Sequence, residues 1–110
     1  MTVLVPISLP LMGGITVENR DGVAVLRLTG DVDAETVAAY GRLHSPVPAM
    51  VAAVDLSEVS FLSSSAVSFV IRQTQSVRDR GQLPALVGVS DRARRVLELI
   101  GVIDLFEVDD

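Results

Sequence analysis

Two short runs, Met50 to Leu56 (MVAAVDL) and Pro84 to Val89, are almost wholly apolar. That pattern suits strands buried on both faces of a sheet. Each run is followed by a stretch with helical spacing. From Ser64 to Arg80 the side chains of Val67, Val70, Ile71, Thr74 and Val77 share one stripe, and Gly81 stands just past the end. After the second run Ser90 caps a helix whose Ala93, Val96, Leu97 and Ile100 face inward, and Gly101 ends it. Strands alternating with helices imply parallel pairing through right-handed crossovers.

The upstream half adds an antiparallel edge. Ile15 to Asn19 alternates apolar and polar, Asp21-Gly22 is a two-residue hairpin signal, and Val23 to Thr29 is the return strand. Gly30-Asp31-Val32-Asp33 then turns the chain, and Asp33 caps a helix from Ala34 to Leu43 with Val37, Tyr40 and Leu43 on one face. Ser45-Pro46-Val47-Pro48 ends that helix, Ser57 to Ser63 reads as a connector, and Val102 to Val108 supplies a last strand. The order is β-β-α-β-α-β-α-β. It predicts an α/β fold, a small mixed sheet of four to five strands with about three helices. The expected core is Val54, Leu56, Val70, Ile71, Leu86, Val87, Val96 and Leu97. Residues 14–110 form this domain. Residues 1–13 form an apolar arm broken by Pro6 and Pro10, expected to pair along a sheet edge, either its own or that of a second copy in a homodimer.

Composition narrows the chemistry. The chain has 110 residues, the size of one domain, and 49% of them are hydrophobic, enough to build a core without staples. Cysteine is absent, so thiolate metal sites and thiol nucleophiles are excluded. The single histidine, His44, lies in a Pro-rich loop, which leaves no His-rich metal site and a poor start for a Ser-His-Asp triad. A net charge of −5 argues against nucleic acid as a partner. No apolar run reaches the ~18 residues of a membrane span. The first twelve residues lack the basic start of a secretory signal, so a cytoplasmic protein without membrane insertion is expected.

The segment with the most to say is Val54-Asp55-Leu56-Ser57-Glu58-Val59-Ser60-Phe61-Leu62-Ser63-Ser64-Ser65-Ala66. A buried strand feeds a run of serines that opens an amphipathic helix. Serines there serve as N-caps. They also suit phosphorylation, because a helix N-terminus carries partial positive charge and tolerates an anion.

In this order, the strand, the D-L-S-x-V-x-F segment, the serine-rich turn and the helix resemble the STAS domain of anti-sigma factor antagonists. The Gly30-Asp31-Val32-Asp33 turn and the order of elements are similar too. The resemblance implies a partner-switching protein rather than an enzyme. It would bind an anti-sigma factor that is a serine kinase, free a sigma factor, and be released by phosphorylation, with no cofactor of its own. The family's acceptor, the hydroxyl residue before a Gly, falls on Ser65, with Ser64 as the alternate. The implied partner contacts are Asp31, Asp33, Ser63, Ser64 and Ala66. Ser63 stands where the family has Asp, and Ala66 where it has Gly. The alternative that the resemblance implies is a STAS regulatory subunit of a lipid or anion transporter, or a stressosome-like scaffold.

Overall fold

The computed structural model describes residues 13–43 and 50–109. The expected N-terminal arm up to residue 12, with the pairing expected of it, and the His44 loop lie outside them. The hairpin forms as its sequence dictates: β1 (Gly14–Arg20) pairs antiparallel with β2 (Val23–Val32) in register from Gly14 opposite Thr29 to Arg20 opposite Val23. Asp21 and Gly22 both take positive φ, 54° and 84°, the turn that matches the twist of the two strands. Helix α1 (Ala34–Leu43) leads to β3 (Val51–Leu62), then come α2 (Ser64–Gln73), α3 (Gln75–Asp79), β4 (Ala85–Val87) and α4 (Asp91–Ile100). A single 3-10 turn (Ile103–Leu105) precedes β5 (Glu107–Asp109).

The five strands lie in sequence order, β1-β2-β3-β4-β5, and every pair after the hairpin is parallel. Each crossover advances one strand in the same direction, so right-handed connections put the helices on one face. That face holds the core: Leu26, Leu28, Val32, Val51 and Val54 are sealed, and Val67, Phe69, Val70 and Leu97 meet them from the helices. Val37 and Tyr40 of α1 pack at the margin, with the Tyr40 ring edge-on to Phe69 at 5.4 Å between centroids.

Among the described residues no helix covers the opposite face, which is laced with charge. Arg20 bridges Glu18 at 2.8 Å and Asp55 at 2.9 Å, and Arg27 bridges Glu58 at 2.9 Å. Asp55 is nonetheless buried, because Oδ1 also accepts from the Ser57 hydroxyl at 2.6 Å and its backbone N–H at 2.9 Å. This tight loop puts a bulge in β3: Arg27 faces Asp55, yet Thr29 faces Glu58.

Five sequence expectations need correction. Ser57 to Ser63 is not a connector, since β3 runs on to Leu62 and Ser63 caps α2. Gly30 to Val32 belongs to β2 rather than to a turn, with Asp33 alone making the corner. The helix expected from Ser64 to Arg80 breaks at Thr74. The final strand shrinks to three residues because a 3-10 turn occupies Ile103–Leu105. Ile100 is exposed, since α4 packs along Ala93 and Leu97 and its last turn stays uncovered. The expected core is otherwise present, with Ile71, Val87 and Val96 half-buried and the rest sealed.

Candidate functional site

Parallel strands β2 and β3 end together, and the last register pair is Val32 with Leu62. Beyond it the two chains begin helices α1 and α2 side by side. Ser63 has extended backbone at φ −76°, and its hydroxyl accepts from the Ala66 N–H at 3.1 Å, which caps α2. The same hydroxyl donates to the Val32 carbonyl at 2.9 Å, and the Ser63 N–H reaches that carbonyl at 3.2 Å. One serine therefore ties the start of α2 to the end of β2.

Asp33 does the matching work for α1. Its Oδ1 accepts from both the backbone N–H and the hydroxyl of Thr36, each at 2.9 Å. The Thr36 N–H, then the Thr36 hydroxyl, hold this carboxyl below its ordinary pKa. Asp31, in β2 two residues before that corner, is exposed and sits in register with Phe61.

The structure thus gathers Asp31, Asp33, Ser63, Ser64 and Ser65 at the carboxyl end of the parallel strands, the end where open α/β sheets place their sites. Ser63 is committed at both ends of its hydroxyl. Ser64 is exposed and Ser65 half-buried, and among the described residues neither hydroxyl makes a hydrogen bond. Helix α2 has no acidic residue in its first turn, so its N-terminal charge is not met from within. Ala66 is fully buried beneath this rim. It belongs to the hydrophobic core.

One residue escaped the sequence reading. Phe61 lies at the end of β3, 56% exposed, beside Asp31. Reading residues 57–63 as a connector hid it. Strand alternation carried through the bulge would have put Leu62 inward and Phe61 outward.

Among the described residues no group of three or more His, Asp or Glu is placed to hold a metal ion. A small void between sheet, α2 and α4 is lined by Leu56, Leu62, Val67, Val70, Leu86, Leu97 and Phe106, with no polar group to orient a ligand. No described helix is long and apolar enough to cross a membrane.

Comparison with known proteins places the chain in a family. The chain is 30% identical over 84 residues to the anti-sigma-B factor antagonist of Listeria monocytogenes, and equally to that of Listeria innocua, covering 74% of this chain and of each relative. The family model for the STAS domain matches residues 14–110, from the first strand to the end. On that match the chain belongs to the STAS domain family.

Proposed function

We propose that this chain is an anti-sigma factor antagonist switched by phosphorylation of Ser65. Unmodified, it binds an anti-sigma factor that is a serine kinase and so releases a sigma factor. The observation that carries this reading is the contrast among three adjacent serines. Ser63 is tied as cap and strand link, while Ser64 and Ser65 present unbonded hydroxyls in the first turn of a helix that lacks its own acid.

The transfer needs nothing further from this chain. Ser65 Oγ attacks the γ-phosphorus of ATP held by the kinase, the bond to the bridging oxygen breaks, and ADP leaves. The hydroxyl proton passes to a base on the kinase. The chain is acceptor and binding partner, not enzyme, and the ATP is the kinase's.

The switch follows from electrostatics. A phosphate brings about −1.5 to −2 charges at pH 7. The α2 N-terminus tolerates it, so the fold survives. The interface does not, because Asp31, Asp33 and Glu35 already stand at this end and claim whatever cations the partner offers.

The test is displacement. A purified complex of the anti-sigma factor and its sigma factor is titrated with this protein, and free sigma factor is measured. Wild type and Ser65→Ala should both release it, and Ser65→Ala should go on doing so when ATP is added. Ser65→Asp should release less. Failure of wild type at every concentration rules the reading out. Recovery of a transporter ATPase in place of a kinase, with no release, would favour the transporter-subunit role.

A further inference from the structure

We propose that Phe61 is the apolar anchor of the anti-sigma factor contact, seated in a socket on the kinase whose rim is cationic. This rests on the function proposed above. Of the chain's four aromatic rings, three are engaged internally: Tyr40 and Phe69 meet edge-on, and the buried Phe106 lies under the Arg78 guanidinium at 5.4 Å. Phe61 is 56% exposed. Its neighbour Leu62 takes the inward position and is buried, so the fold draws little from the ring. A threonine or valine would serve the strand equally well. A rigid aromatic standing out of a sheet end, two residues before the cap of the switch helix, has the character of an interface hot spot.

Charge identifies the occupant. Phe61 is the register partner of Asp31, and Asp33 and Glu35 follow directly. Among the described residues none of these three carboxylates takes part in an ion pair. The charges on the sheet face behave differently: Glu18, Asp55 and Glu58 are all matched by arginine. An exposed phenyl whose register neighbour Asp31 carries no ion pair among the described residues, with Asp33 and Glu35 next along the chain, calls for an apolar pocket edged by Arg or Lys. The kinase that must bring its ATP to Ser65 has to cover this same end of the molecule.

The experiment is calorimetric titration of the full chain against the purified serine-kinase anti-sigma factor, with melting temperature and uptake of phosphate measured in parallel. Phe61→Ala and the strand-preserving Phe61→Thr should each weaken binding tenfold or more. Phe61→Leu, which still fills a pocket, should lie between them and wild type. Melting temperature should stay at the wild-type value for Phe61→Thr even if Phe61→Ala lowers it. Wild-type affinity should fall as salt is raised, and Asp31→Asn should make that fall shallower. Less than a tenfold loss in Phe61→Thr, while wild type binds and accepts phosphate, overturns the anchor and leaves the proposed function standing. Wild type that neither binds nor accepts phosphate overturns both.

Discussion

Ser63 uses one hydroxyl twice, as acceptor from Ala66 and donor to Val32. Ser63→Ala removes both bonds and should cost about 1–2 kcal/mol, the range for a lost cap, read from urea unfolding. Gly88 is as tightly specified. It has φ +71°, and a Cβ there would stand 2.5 Å from the Ser57 Cβ, so Gly88→Ala should destabilise through both strain and collision. The Ser57 bulge is what crowds it, through Asp55. Burial raises the Asp55 pKa, but the Ser57 hydroxyl and N–H together with Arg20 outweigh it, and the carboxyl ends below its ordinary value. A depressed carboxylate stabilises the fold above the unfolded pKa of about 3.9 and loses that contribution as pH falls through the folded value. Unfolding free energy should therefore drop between pH 5 and pH 2. Asp55→Asn should be less stable at pH 7 and lose less on acidification, and an equal drop in both would contradict this assignment.

Among the elements, the break between α2 and α3 shows what the sequence pattern leaves out. Thr74 fits the apolar stripe and is fully buried, so the spacing reads straight through it. Its hydroxyl, however, donates back to the Val70 carbonyl at 2.8 Å, and this back-bonding bends helices. Arg78 closes the break. It donates to Thr74 Oγ1 at 2.9 Å, to the Leu105 carbonyl at 3.3 Å and to the Ile71 carbonyl, and it lies over Phe106. Arg78→Ala should cost about 2 kcal/mol, and Arg78→Lys should recover little because one ammonium cannot span those acceptors. The length of β3 was hidden for a different reason. Only Ala53 to Asp55 of β3 pair with β4, so beyond the bulge, among the described residues, the strand is paired on the β2 side alone. Ser57, Glu58 and Ser60 suit that half-open stretch, and to a pattern search they look like a loop.

For the molecule as a whole, what could be read in advance was what burial dictates. Val54, Leu56, Leu86, Val70 and Leu97 sit in the core because apolar runs at strand and helix periods have no other place to go. Leu97→Ala should cost about 2–5 kcal/mol, read from the shift in denaturation midpoint. The site was legible to the same depth. The cap at Asp33 follows from residue type and position, whereas the cap at Ser63 and the exposure of Phe61 depended on where a strand ended. The central claim, that Ser65 is the switch, is tested most directly by fragment mass spectrometry after incubation with the serine-kinase anti-sigma factor and ATP. One phosphate is expected, on Ser65, taking the net charge from −5 to about −7 at pH 7. Ser64→Ala should still accept it and Ser65→Ala should not. A phosphate found on Ser63 or Ser64, or none on the wild type, would contradict the account.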